Sequence, residues 1–348
     1  MSLINTRIQN LRSNTNIDKN EFRASRYGAW DVFAQQTGDP AGIITPDMIE
    51  IARQSIGSTY QVPVIDFDAG VSIGSTRSVT IGDSENTSQM VTITFVTLAW
   101  GFTVVPALYW NNEIKIQRDF ETKFTKYLNE LAAHLDTLAC AALDSEKNTV
   151  FADTLGYTVA GDNIQAKWKQ REFILGDLVP IFAANDFYNQ LHIIGNGGIE
   201  SVVRNLTEKD LYNEINKQLQ YADKVFHFTN RISNGAGTYG TAFAVPSGSL
   251  GVLTRVEREA LLRTPSRTGH EWDVERLPLV DIEVGTYFYE SVGDFNTIAG
   301  AASADLTRAK KEHYGFAFDV AFVTPYNSRP GVDADAISKF EVLEDDGS

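Results

Sequence analysis

Cysteine is nearly missing: Cys140 is the one such residue in a chain of 348. A lone thiol excludes an internal disulfide. It stands between Ala139 and Ala141 with no basic neighbour to favour a thiolate, so it reads as a small buried hydrophobe. Positive charge is also scarce, with 30 Lys and Arg against 45 Asp and Glu, a net charge of −15. That balance speaks against a protein that reads DNA or RNA, which needs basic patches on phosphate. It suits a protein that works near nucleic acid without gripping it, and it favours solubility at high concentration. Long apolar runs are lacking too. The most apolar stretch, FVTLAWGFTVVPALYW (95–110), is broken by Thr, Gly and Pro and is short for a membrane helix. The opening MSLINTRIQNLRSN has no apolar core of a signal peptide. The expectation is a protein made in a reducing cytoplasm, with no membrane partner.

What the chain does contain is a core, with 43% hydrophobic residues, and one very long helical pattern. In FETKFTKYLNELAAHLDTLACAALDSEKNTV (120–150), Phe120, Phe124, Leu128, Leu131, Leu135, Leu138 and Ala142 form a single stripe at helical spacing. Lys123, Lys126, Glu130 and Asp136 fall off that stripe and are expected to face water. Gly and Pro are absent throughout. The spacing predicts a long helix over 117–148 that lies along a sheet.

Ahead of it, residues 1–30 are polar and mildly basic, with Arg7, Arg12, Lys19, Arg23 and Arg26 outweighing Asp18 and Glu21. They read as an extended arm or a segment that orders on a partner. A short helix is expected over 45–56, with Thr45 as cap and Pro46 at its first position. Ile65, Phe67, Ala69, Val71 and Ile73 then alternate with polar or small residues, as do Val91, Ile93 and Phe95 beyond the turn cluster GDSENTS (82–88). This predicts a long, half-solvated β-hairpin, which needs something to lie on. Further along, a helix is expected in 166–185, kinked or begun near Pro180. LHIIG (191–195) reads as a strand, NGGIESVVRNLT (196–207) as a turn into a helix, and 210–222 as another helix through Leu211, Ile215 and Leu219. Residues 233–251 read as loops around short strands, 256–264 as a short helix, and 277–292 and 313–327 as strands. The acidic tail EVLEDDGS is expected to fray.

Motifs for chemistry are incomplete. Gly195 and Gly197 fit the first two glycines of a dinucleotide fingerprint after a strand, but Glu200 occupies the third position, where a carboxylate repels a pyrophosphate. HEWD (270–273) begins like a zinc motif, yet Val274 stands where the second histidine belongs. The five histidines, at 134, 192, 227, 270 and 313, lack metal-ligand spacing, and His134 is expected to face solvent or be satisfied in place. Asp66 and Asp68 share one strand face and read as its wet side. Arg255, Arg258 and Arg263 alternate with Glu257 and Glu259, as on a solvated helix face or an ion-pair seam between subunits. No catalytic, cofactor-binding or metal-binding residue is assigned.

The order of elements is the informative feature. With VTITFVTLAWGFTVVPALYWNNEIKIQRDFETKF (91–124), HIIGNGG, GTAFAVPSGSLGVL (240–253) and YGFAFDVAFVTPYN (314–327), the chain resembles the major capsid proteins of tailed bacteriophages, the Hong Kong 97-type fold, and in particular those of phages infecting Bacteroidetes-type hosts. The resemblance implies an α+β fold in four parts. These are an N-terminal arm and short helix (1–56), an extended β-hairpin loop (57–105), a peripheral domain with the spine helix (106–167 and 310–348), and an axial domain (168–309). It implies a shell protein of the virion, not an enzyme. Its partners would be itself in hexamers and pentamers, a separate scaffolding protein, a portal, possible decoration proteins, and packaged DNA only non-specifically. The basic arm would reach a neighbour or the genome. The alternatives are another virion component or a cellular nanocompartment shell on the same fold, and an α/β enzyme using the 191–200 loop for a nucleotide.

Overall fold

The computed structural model describes residues 3–14, 27–38, 42–54, 59–65, 88–109, 112–147, 154–184, 187, 190–207, 212–213, 218–221, 224–256, 270–293, 309–325 and 336–345. Helices α1 (Leu3–Asn14), α2 (Gly28–Gln36) and α3 (Pro46–Gln54) lead into a ribbon of β1 (Thr59–Ile65) and β2 (Ser88–Thr94). Strand β3 (Val96–Val104) and a short 3-10 turn bring the chain to α4 (Glu113–Ser145). Then come β4 (Thr158–Ala160), β5 (Asn163–Ala166), α5 (Phe173–Ala184), β6 (Leu191–Gly195) and α6 (Gly197–Thr207). The remainder is strand: β7 (Tyr212–Asn213), β8 (Gln218–Tyr221), β9 (Lys224–Phe228), β10 (Thr238–Pro246), β11 (Gly251–Arg255), β12 (His270–Arg276), β13 (Glu283–Gly293), β14 (Ala309–Val323) and β15 (Ser338–Leu343).

These strands make three sheets. One is the β1–β2 ribbon. The second has eight strands in the order β4-β5-β15-β10-β6-β9-β8-β7. The third centres on β14, with β13 and then β12 outward on one side, β11 continuing along that same edge, and β3 along the other.

Helix α4 and strand β14 form the backbone of the molecule. At about 1.5 Å per residue the 33 residues of α4 span about 50 Å. At about 3.3 Å per residue the 15 residues of β14 span the same length. The two periods also match, since four helical residues rise about 6 Å and two strand residues about 6.6 Å. Phe120 therefore meets Tyr314 (ring centroids 5.0 Å apart) and Phe124, one turn on, meets Phe316 (5.4 Å). Phe102 of β3 joins this stack from the neighbouring strand, 5.4 Å from Phe120. Asn112 caps the helix by accepting from the Lys115 amide, so α4 begins four residues before the expected Gln117. The stripe is buried through Leu135. Beyond that, the buried face passes through Ala139, Cys140 and Leu143, while Leu138 and Ala142 are half-buried. His134 faces solvent as expected.

The expected arm is not extended where it is described. Ile4, Ile8 and Leu11, all at most 1% exposed, put one face of α1 into the main core. The other anchors are polar. Glu271, Asp273 and Glu275 alternate along β12, so they share a face. They meet the Leu3 amide (3.1 Å), the Asn5 amide group (2.8 Å) and the Arg12 guanidinium (3.5 Å) in turn. Arg7 is buried against Glu312 at 3.2 Å and lies over the rings of Phe120 and Tyr314. Arg7 and Arg12 are thus engaged within the chain and do not reach outward. Lys19, Arg23 and Arg26 lie outside the described residues.

Other expectations are corrected likewise. Residues 212–213 and 218–221 are strands, because Leu219 and Tyr221, alternating with Gln218 and Gln220, also satisfy a two-residue period that β9 can pair. The Gly-rich 233–251 region contains β10, nine residues long and buried almost throughout, within the eight-stranded sheet. Part of the acidic tail is β15, between β5 and β10, where Glu341 is buried and accepts from Asn163 and Gln165. Residues 277–282 form a tight turn with left-handed Leu279 and Asp281, so that strand starts only at Glu283. α3 and its leading Pro46, β6, α6 and β14 stand where expected. α5 keeps Pro180 inside it. Pro180 has no N–H for the Gly176 carbonyl, and the buried Lys224 ammonium donates to that carbonyl instead, at 3.4 Å. The ribbon is paired from Thr59↔Thr94 to Ile65↔Ser88, and its expected extension through 66–87 lies outside the described residues. So does most of the expected helix at 256–264.

The sheets also divide the chain otherwise than the expected ranges. β12 and β13, expected in the axial part, pair within the β14 sheet, and β15, expected in the peripheral part, pairs with β10 and β5.

Candidate functional site

The turn after β6 has the strand–glycine–helix layout of a phosphate loop, but the amides of Gly198 and Ile199 are occupied. The Asn196 side-chain oxygen accepts from the amides of Gly198 (3.1 Å), Ile199 (3.4 Å) and Thr241 (3.2 Å). Asn196 is itself buried, and its side-chain amide donates to the Ile232 carbonyl and to Asn234. It is the N-cap of α6, a role that an Asn just before a helical pattern signals in sequence. Gly195 and Gly198 serve packing. A Cβ on Gly198 would lie 2.1 Å from the Tyr239 carbonyl oxygen, whereas one on Gly197 would meet open space. Glu200 is held by Arg204 one turn on, at 2.6 Å.

The strand pairing brings together two histidines that sequence spacing left apart. β6 and β9 run parallel, and His192 Nδ1 lies 3.1 Å from His227 Nε2, both buried. Burial and the neighbouring ring push the His227 imidazole down to about 3, and burial lowers His192 as well. The pair is therefore neutral at ordinary pH, one ring donating to the other. His313 is fixed between the hydroxyls of Thr103 (3.0 Å) and Ser291 (2.7 Å) and stacks on Tyr289, which also stacks on His270. HEWD lies on strand β12, so position 274 is not one helical turn from His270. Among the described residues no group of three or more His, Cys, Asp or Glu is placed to hold a metal ion.

Asp136 is the polar residue that periodicity misplaced. Expected in water, it is fully buried. One oxygen accepts from the amides of Ala29 and Trp30, each at 3.0 Å, and the other accepts from the Thr229 hydroxyl. α2 has no side-chain cap of its own at Tyr27, so α4 supplies one across space. Burial holds the Asp136 carboxyl above its ordinary range, against the lowering pull of these bonds. Burial, with Asp136 beside it, also raises the Cys140 thiol far above the range of a reactive thiolate.

Of the arginine series, Arg255 is on strand β11. It pairs with Asp319 of β14 at 2.8 Å and covers the Phe95 ring at 4.2 Å, an intramolecular tie in place of the expected helix face or subunit seam. Arg258, Arg263, Asp66 and Asp68 lie outside the described residues. No helix among the described residues is long and apolar enough to cross a membrane.

The remaining candidates are surfaces. The β1–β2 ribbon is a sheet of its own, held at its base where Ile93 and Phe95 pack with Ile44, Ala52, Leu253 and Ala321. Thr92 and Thr94 on its other face are exposed.

Neither a family model nor a curated protein matches the chain. Among solved structures it is similar to a chain from Mycobacterium phage Che8, with 8% identity over 84% of this chain and 87% of that one and a TM-score of 0.45. It is also similar to one from the capsid of cyanophage P-SCSP1u, with 12% identity, coverage of 83% and 84% and a TM-score of 0.45. A chain from the capsid of Myoviridae phage XM1 has 12% identity, coverage of 84% and 88% and a TM-score of 0.38.

Proposed function

We propose that the chain is a major capsid protein, a non-enzymatic subunit that assembles with copies of itself into the icosahedral head of a tailed double-stranded DNA phage. The observation that carries this reading is the pairing of the matched α4–β14 spine with a β-ribbon that forms a sheet separate from the body. A two-stranded ribbon is marginal alone in water and calls for a surface to lie on. In a shell that surface is the neighbouring subunit. The net charge of −15 keeps such a wall from trapping the DNA inside it.

On this reading the β14 sheet with α4 forms the peripheral part and the eight-stranded sheet with α5 and α6 the axial part. The chain resembles in particular the capsid proteins of phages infecting Bacteroidetes-type hosts, on the stretches 91–124, HIIGNGG, 240–253 and 314–327. A scaffolding protein, a portal and decoration proteins are its further partners, and the virion is its place of action, after synthesis in the host cytoplasm.

The experiment replaces residues 66–87 by a short Gly–Ser turn. The expected product is a folded subunit with unchanged circular dichroism that forms no closed shells. Normal shells from the shortened chain would overturn the role given to the ribbon.

A further inference from the structure

The eight-stranded sheet has one narrow joint. Strands β9, β8 and β7 lie together at one end, and β6 is the strand that binds this end to the rest. The joint is a short parallel pair, from Leu191↔Lys224 to Gly195↔Phe228. His192 and His227 bridge it, Nδ1 to Nε2 at 3.1 Å, with their rings stacked at 5.3 Å. Side chains alternate along a strand, so His192 shares its face with Ile194. That face is turned to the main core, which holds Ile194 and Val245. Ile193 and Phe226, on the opposite face, pack with residues of α5 and α6.

Two buried imidazoles that share one hydrogen bond are held together only while both are neutral. One facing nitrogen must lack a proton in order to accept. Protonating it sets two N–H groups against each other. Protonating the donor ring at its other nitrogen leaves a buried cation. The surroundings supply little to answer such a charge. β8 and β10 carry no charged residue, and β10 sets Val245 beside His192. Lys224 of β9 reaches the Gly176 carbonyl, on the α5 side. Asp31, the one charged residue of α2, accepts from the Gln35 side chain. Asp136 of α4 is taken up by Ala29, Trp30 and Thr229. Among the described residues, the one charge that bears on His227 is that of His192.

We propose that the His192–His227 pair is an acid-sensitive latch: neutral, it holds β9 to β6, and in mild acid it frees the β9-β8-β7 end while the rest of the chain stays folded. This is a device of the single chain, whether or not that chain builds a shell. Thr229 limits the opening, since its amide donates to the Gly195 carbonyl and its hydroxyl to Asp136, just past β9. A base whose closed-state value is lowered binds its proton more readily in the open state. Its contribution is present in full above the open-state value, about 6.5, and is lost as pH falls toward the closed-state one.

Hydrogen exchange of the full-length chain at pH 8 and pH 5.5, corrected for the intrinsic rate, reads the latch directly. Between these values one such ring raises the opening constant about tenfold, and the second ring adds to that. The rise is expected in peptides covering 191–195 and 224–228 and not in those covering the β10–β15 pairing. An unchanged opening of the joint would overturn the latch, and so would an equal rise in β10 and β15, which would mark general acid loosening. The His192→Phe/His227→Phe variant keeps two stacked rings without a titrating nitrogen, and its joint should open equally at both pH values. A tenfold rise that survives in this variant would overturn the latch. Imidazole 15N NMR of the wild-type chain needs no variant. It should show His227 neutral in the folded form at pH 5.5, and a cationic His227 there would overturn the latch.

Discussion

Replacing Asp136 by Ala would strip the acceptor from two buried backbone amides, Ala29 and Trp30, and from the Thr229 hydroxyl. A buried donor left without an acceptor costs about 1–3 kcal/mol, so three at the low end give about 3 kcal/mol. Loss of the negative charge at the α2 N-terminus adds about 0.5–1 kcal/mol. Against this, alanine escapes the desolvation that raises the Asp136 carboxyl. The expected net loss is about 3 kcal/mol. Asp136→Asn keeps one oxygen for the two amides and should lose only about 1 kcal/mol. Urea unfolding followed by tryptophan fluorescence measures both, and hydrogen exchange at Ala29 and Trp30 localises the effect. An Asp136→Ala midpoint within about 1 kcal/mol of wild type would refute the reasoning. The pH dependence is a second check. A carboxyl whose native value is raised binds its proton more readily in the folded state. Its contribution is present in full below the unfolded value and is lost as pH rises through the native one. Lowering the pH from neutrality should therefore favour wild type increasingly over Asp136→Asn, and the opposite slope would contradict the account.

Three shorter predictions follow. Gly198→Ala forces a Cβ against the Tyr239 carbonyl and should cost about 3 kcal/mol or more, while Gly197→Ala, in open space, should stay within about 0.5 kcal/mol, both by urea unfolding. Arg7→Ala leaves the buried Glu312 without its cation and should cost about 3–5 kcal/mol. The Arg7→Ala/Glu312→Ala double variant should cost less than the two single losses together, as a double-mutant cycle measures. Cys140 should resist thiol reagents in the native protein at pH 8 and react only on unfolding, since burial holds its thiol protonated.

The sequence carried the elements whose signal is local and repeated. Phe316 and Phe318 alternate as β14 requires, and Phe120 to Leu135 repeat as α4 requires. It misled where a polar residue is satisfied from far away in the chain. Arg7 made the first helix look like a solvated arm, although Ile4, Ile8 and Leu11 already held its buried spacing. Glu341 made the last strand look like a frayed tail, because its partners Asn163 and Gln165 are brought to it by a parallel pairing. Asp136 fell outside the stripe that periodicity follows, because its role is to cap a helix more than a hundred positions away. His192 and His227 meet through a strand register that no spacing rule encodes.

The most direct test of the shell reading is negative-stain electron microscopy with sedimentation on the purified full-length chain, co-expressed with a candidate scaffolding protein. Closed shells, tubes or capsomer rings are the predicted outcome. A monodisperse monomer or dimer under every condition would contradict it.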